Sequence, residues 1–316
     1  MSRSVVREVK LESLYPKVKD ADAAALLPTV VKPQHASFVV SGCNVAIANG
    51  IRRVMLSELP VYGLTFDYGS YRTNMLFMLN DYVRTRIRCI PIMQNIDEKA
   101  TFRLNVMNTT ESPLRVKSRD IIPDHGKRLP FNETFDIAML DPGKHMAIDR
   151  IYVERMTTSA FGGYNVAVNV ACTTVDQTPV DLETGEGIPS ALSDPREHRI
   201  TATLQGTMTL TELMHATCDV LIERLDRVIK AIPNVYNTSN VYFLVLPNET
   251  HTIGNIIVKG VCDAYPSVPL ATYSADHMAK TITISIKTTD DIETVLIDVS
   301  KRAIKTLTEV RSQFKH

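Results

Sequence analysis

Two stretches of this chain, 206 positions apart, follow one pattern without a gap. Val39 falls on Val245, Ile47 on Ile253, Asn49 on Asn255, Ile51 on Ile257, Pro60 on Pro266 and Leu64 on Leu270. An internal repeat constrains the fold strongly, because each copy is one supersecondary unit whose apolar face needs a neighbour. In the first copy Ile47, Ile51, Val54 and Met55 recur at i, i+4, i+7 and i+8, which gathers them on one helical face. Pro60 stops that helix, since it lacks an N–H and clashes with the preceding turn. The apolar run 36–40 just ahead reads as a strand. Strand, polar turn, helix, proline stop and second strand therefore occur twice in the same order.

Each copy leads to a long amphipathic helix. After a strand at 198–204, Met214, Thr217, Leu221, Leu225, Val228 and Ile232 line one helical face, which Pro233 breaks. After strands at 270–274 and 281–287, a closing helix over 291–314 keeps Ile292, Val295, Leu296, Val299, Ala303, Leu307, Val310 and Phe314 on a seam. Alternating runs at 101–106, 114–118, 134–139, 147–153 and 165–171 read as strands, separated by turn residues such as Asp141-Pro142-Gly143.

The fold class expected is α+β: two dimerisation units docked as an intrachain pseudo-dimer, with a mainly β insert domain in the first. The expected boundaries are an arm at 1–34, a first unit at 35–92 and 196–233, an insert at 93–195, a linker at 234–240 and a second unit at 241–316. A unit of about 75 residues has a marginal core of its own. Docking is expected to bury Ile47, Ile51, Leu221, Leu225 and Val228 of the first unit against Ile253, Asn255, Ile257, Val299, Leu307 and Val310 of the second.

With 35 basic and 35 acidic residues, the chain has no global field to draw it to polyanions or membranes, and lacks the basic excess of a free-standing nucleic-acid binder. No run approaches the roughly 20 apolar residues that span a bilayer. The first thirty residues mix charged and apolar positions, unlike a secretory signal. Five scattered cysteines without a CxxC pair fit a reducing compartment and argue against a disulfide framework or a zinc site.

Two basic clusters stand out. Arg52 and Arg53 read either as a solvated face or as interface arginines whose planar forks pair with carboxylates. Arg84, Arg86 and Arg88 read as a nucleic-acid stripe or a protein-docking face, and the neutral chain favours docking. Asp124-His125 and Asp141 with His145 suggest acid–base or metal chemistry, but no third ligand lies at useful spacing. Thr250-His251-Thr252 reads as a helix N-terminus capped by a threonine, with Glu249 at the positive end of the dipole. The rival to a binding scaffold is thus a small metal-assisted hydrolase or transferase using the Asp/His turns, and a third reading is a stand-alone nucleic-acid adaptor.

The segment Asn49-Gly50-Ile51-Arg52-Arg53-Val54-Met55-Leu56-Ser57-Glu58-Leu59-Pro60 resembles the Asn-Ala-Leu-Arg-Arg-Val-Leu-Leu-Ser-Glu-x-Pro signature of the α-like assembly subunits of cellular RNA polymerases. Arg84-Thr85-Arg86-Ile87-Arg88-Cys89-Ile90-Pro91-Ile92 is similar to a second element of that family, with Arg88 in place of its usual Gly. Glu249-Thr250-His251-Thr252-Ile253-Gly254-Asn255 resembles the signature of the smaller partner subunit. Both lie here in one chain, an arrangement similar to the fused subunit of large nucleocytoplasmic DNA viruses. The resemblance implies a non-catalytic scaffold that joins the largest and second-largest polymerase subunits, with small zinc-containing assembly subunits as further partners. It implies docking through Asn49, Arg52, Arg53, Arg84, Arg86 and Arg88. It implies no cofactor on this chain, catalytic magnesium in the large subunit, and nucleic acid reached only through the complex. The location implied is intracellular and, for a virus, host cytoplasm or nucleus and the virion. Val258-Lys259 stands where the first copy has Arg52-Arg53, so the two units present different faces.

Overall fold

The structure is a computed structural model that describes residues 4–14, 30–125, 129–175, 196–276 and 278–315. Strands β1 (Val5–Ser13) and β2 (Gln34–Ser41) pair antiparallel, and helix α1 (Val45–Arg53) follows. Asn44 starts α1 by accepting a hydrogen bond from the Ile47 N–H at 3.0 Å, which satisfies a free donor of the first turn. The helix runs on through a π-helical turn, Val54–Glu58, and ends where Pro60 opens a strand.

Next come β3 (Pro60–Phe66), β4 (Tyr71–Thr73), α2 (Asn80–Arg88), β5 (Thr101–Met107), β6 (Leu114–Lys117), β7 (Ile121–Pro123), β8 (Asp136–Leu140) and β9 (His145–Thr157). They form a module with a sheet ordered β3-β9-β5-β7, β4 also on β9, and a separate β6-β8 ribbon. Its core holds Leu64, Phe66, Val83, Ile87, Phe102 and Leu104. The insert boundary expected at residue 93 therefore falls too late. Val83 and Ile87, four apart on α2, turn that helix onto this core, so most of 60–92 belongs to the module. The later boundary shifts as well, because β10 (Ala167–Thr174) pairs with β11 (Glu197–Leu204) instead of joining the module. Strand β3 joins the two bodies, with Val61 in the main core and Leu64 in the module's.

The first four-stranded sheet has the order β1-β2-β11-β10, and α3 (Leu210–Ala231) follows it. After α3 come β12 (Tyr236–Thr238), β13 (Val241–Pro247), α4 (His251–Ala264), β14 (Leu270–Asp276), β15 (Thr281–Lys287) and α5 (Ile292–Gln313). Their sheet has the order β12-β13-β15-β14, again antiparallel throughout. Helices α3 and α5 are both 22 residues long. Their N-caps Thr209 and Asp291 lie 82 apart (291 − 209), and buried positions recur at that offset: Leu213 with Val295, Met214 with Leu296, Leu221 with Ala303, Leu225 with Leu307, Val228 with Val310. Helix α3 packs on α5 and α1 on α4, and one continuous core runs through both units. Gly50 sets the approach of α1 to α4, since a Cβ there would stand 2.9 Å from Ile256 Cδ1.

One further expectation is corrected. Residues 234–240 are not a plain linker: β12 and β13 form a hairpin whose two turn residues, Ser239 (φ 55) and Asn240 (φ 63), are both left-handed. Such a two-residue turn matches the twist of the flanking strands. The arm at 1–34 contains β1, which pairs along β2 and is pinned to the end of α5. Ser4 donates its N–H to Glu309 Oε2 at 2.8 Å, and Gln313 Nε2 donates to the Ser4 carbonyl at 2.9 Å. The alanine-rich stretch 21–27 lies outside the described residues.

Candidate functional site

Ile47, Ile51, Leu221, Leu225, Val228, Ile253, Ile257, Val299, Leu307 and Val310 are all buried in the one continuous core, and Asn255 is half-buried at its edge. A polar node is set into this core where α1, α3 and the turn into α4 meet. Arg224 projects from the apolar face of α3, its side chain 8% exposed. Its guanidinium donates to Glu249 Oε2 at 2.8 Å and to Thr250 Oγ1 at 2.9 Å, and it is ion-paired with Glu58. Thr252 Oγ1 donates to Glu58 Oε1 at 2.8 Å, and Arg227 reaches Glu249 Oε1 at 3.3 Å.

Burial alone would raise the Glu58 carboxyl. The charge of Arg224, the hydroxyl of Thr252 and the charge of Arg53 outweigh it and hold Glu58 below the usual glutamate range. Thr250 is the N-cap of α4, its hydroxyl facing the Thr252 N–H. Glu58 closes the first unit's helical segment and Glu249-Thr250 opens the second's, so Arg224 ties one unit's helix end to the other's helix start.

The six basic-cluster residues divide by what they touch. Arg53 is committed within the chain, its Nε donating to Thr252 Oγ1 at 2.8 Å and its Nη2 lying 3.3 Å from Glu58 Oε1. It thus bridges the two units, and a charge reversal there would strike the node as well as any outer partner. Arg52 Nε donates to Asn49 Oδ1 at 2.7 Å on the half-exposed side of α1. On α2, Arg84 donates to Thr65 Oγ1 at 3.1 Å and lies over the Tyr68 ring. Arg86 bonds the Asp136 carbonyl and lies over Phe135. Arg88 pairs with Glu154 at 3.0 Å and lies over Phe161. These three pin α2 to the module, and Arg88 makes a contact that a Gly there would lack.

Residues 243–316 match the model of a family described as the RNA polymerase Rpb3/Rpb11 dimerisation domain. Over 279 residues the chain is 29% identical to the DNA-directed RNA polymerase RPB3-11 homolog of an African swine fever virus isolate from a Kenyan pig, covering 78% of this chain and 77% of that protein. The homolog from a South African tick isolate is 28% identical over 278 residues, with the same coverage. The chain is similar along most of its length to viral proteins named DNA-directed RNA polymerase RPB3-11 homolog. The DNA-directed RNA polymerase subunit Rpo3 of Methanosarcina mazei is 25% identical over 130 residues, 37% of this chain and 48% of its own length.

The hydrolase alternative finds no support in these relatives, and the geometry of its residues opposes it. Asp124 follows β7, whose partner register puts it beside the Thr101 end of β5, whereas His145 pairs with Met107 at the other end. A seven-residue strand separates them by roughly 20 Å. Among the described residues no group of three His, Cys, Asp or Glu side chains is placed to hold a metal ion. Arg224 is not among the expected site residues, although one sequence signal marks it. It is a lone charge between Leu221, Leu225 and Val228 on an otherwise apolar stripe.

Proposed function

We propose that this chain is the non-catalytic α-like platform of a multisubunit DNA-directed RNA polymerase, joining the largest and second-largest subunits, with small zinc-containing subunits alongside. In this reading 35–92 with 196–233 and 241–316 are the two halves of an intrachain pseudo-dimer, adjusted at the edges as described. The observation that carries it is the recurrence of one sheet order and one helix order on either side of a shared core. Two α-like subunits met as separate chains would form the same interface between molecules. Here the linking hairpin makes it intramolecular, which raises the effective concentration of one half for the other.

The outer docking face would include Asn49 and Arg52 on α1 and the exposed sides of Arg84, Arg86 and Arg88 on α2. The loop before α2 supports the reading, for Leu76 and Phe77 are 91% and 93% exposed and Leu79 follows at 68%. A contiguous exposed apolar patch marks an interaction surface. Action within virus-infected cells, and packaging in a virion, belong to the same proposal. Among the described residues no helix is long and apolar enough to cross a membrane.

Co-expression with the two largest polymerase subunits of the same genome tests the platform. The tagged wild-type chain is expected to capture both, and Arg52→Glu to weaken capture while leaving the isolated chain's thermal transition in place. Turnover by the purified chain alone with divalent metals would favour the hydrolase instead.

A further inference from the structure

The buried node at the junction has a counterpart position on the opposite side of the same core, and there the side chains are missing. The 206-residue offset carries Glu58 to Ala264, Glu249 to Cys43 and Thr250 to Asn44. The 82-residue offset between α3 and α5 carries Arg224 to Thr306. Those four residues do not fill the space: Cys43, Asn44, Ala264 and Thr306 all line a cleft of about 510 Å³ between the β2–α1 turn and helices α4 and α5. Of the positions compared on the two long helices, Arg224 and Thr306 are where burial differs, the first buried and the second half-exposed. Two large acids and an arginine in one copy are thus alanine, cysteine and threonine in the other. The size lies within the range of about 300–1,000 Å³ typical of binding clefts.

The charges at the cleft wall are Arg196, Arg302 and Lys305 against Asp263 and Glu309. Both acids are already engaged, Asp263 by Lys259 at 3.0 Å and by Asn44 at 2.9 Å, and Glu309 by the Ser4 N–H at 2.8 Å. Arg302 is held by Asp298 at 2.6 Å. Arg196 and Lys305 are exposed at the cleft wall and, among the described residues, make no ion pair. We infer that this cleft is a socket for an acidic segment of a partner polypeptide, which supplies from outside the carboxylates that Glu58 and Glu249 supply from within at the other junction. The inference rests on the platform reading. It explains why one junction is complete in the isolated chain while its counterpart stands open.

The test rebuilds the missing node. Ala264→Glu with Thr306→Arg places in the cleft the pair that Glu58 and Arg224 form at the other junction. The full-length double variant, tagged and co-expressed with the two large polymerase subunits of the same genome, is expected to melt no lower than wild type. It is expected to lose at least about tenfold in capture of one large subunit. Should that variant fail to fold, Lys305→Glu on the exposed rim gives the second measurement, with an expected loss of several-fold at low salt. Capture equal to wild type by the folded variants overturns the socket and leaves the platform reading standing. A wild-type chain that captures neither large subunit overturns the platform reading and the socket with it. Loss of self-association in gel filtration, with partner capture intact, assigns the cleft to a second copy and also overturns the inference.

Discussion

Replacing Arg224 by Met measures how much the node contributes to holding the two units together. Methionine retains most of the apolar stem volume and removes the guanidinium, leaving Glu58 and Glu249 buried, with side chains 13% and 4% exposed, and facing an apolar group. Removing one partner of a buried ion pair costs about 3–5 kcal/mol, because the other charge stays uncompensated. Glu58 keeps Thr252 and Arg53, and Glu249 keeps Arg227, so the expected loss is at the lower end, about 3 kcal/mol. For a cooperative unit of about 150–250 residues this lowers Tm by about 6–12 °C. The assay is urea unfolding followed by circular dichroism, run as a double-mutant cycle of Arg224→Met with Glu58→Gln. Neutralising Glu58 removes one stranded charge, so the double variant should be more stable than the two losses added would predict, by about 0.5–3 kcal/mol. A coupling of zero, or a loss under about 1 kcal/mol for Arg224→Met, would show that the node is spectator chemistry on the core's surface.

Acid should expose the same node. Because the folded-state Glu58 carboxyl is held below its unfolded value, its contribution is present above the ordinary glutamate value of about 4.3 and is lost as pH falls through the folded value. The stability gap between wild type and Glu58→Gln should therefore narrow on acidification, and a constant gap from pH 7 downward would contradict the assignment. Thiol labelling of the native chain should find Cys262, which is exposed, fast; Cys43 and Cys218, whose thiols burial pushes up to about 12, should react only on unfolding. Leu76→Ser with Phe77→Ser should change stability by less than about 0.5 kcal/mol, since both side chains face solvent, while reducing capture of the polymerase partners in a pull-down.

Periodicity carried the helices well, because a stripe at 3.6-residue spacing and a stopping proline are local signals. The pairing of strands is not local, and there the reading failed. Strand β10 alternates as a strand should, yet nothing in its own residues says whether its neighbour is β9 or β11. Val83 and Ile87 were legible as an apolar pair inside a basic helix, but the bonds that Arg84, Arg86 and Arg88 make within the module join residues far apart in the chain and were not. The Asn- and Ser-rich stretch before β13 read as a linker, since a hairpin turn of two left-handed residues has the same composition as a loop. Glu58 and Glu249 each sat in a stretch that the sequence singled out. Only coordinates reveal that one arginine, 166 residues beyond Glu58, brings them together.

The pinning of Ser4 and Gln313 has a consequence for how such a chain is made. Residues Ser4 and Val6 are translated 305 and 307 residues ahead of their anchors, Glu309 and Gln313. Phe38 likewise waits for Phe314, whose ring meets it edge-on at 5.3 Å. Until α5 emerges, the apolar flank of α3 has no cover, and the nascent protein must be shielded by a chaperone or risk sticking to its neighbours. A translation stop anywhere before α5 would thus spoil the first unit along with the second.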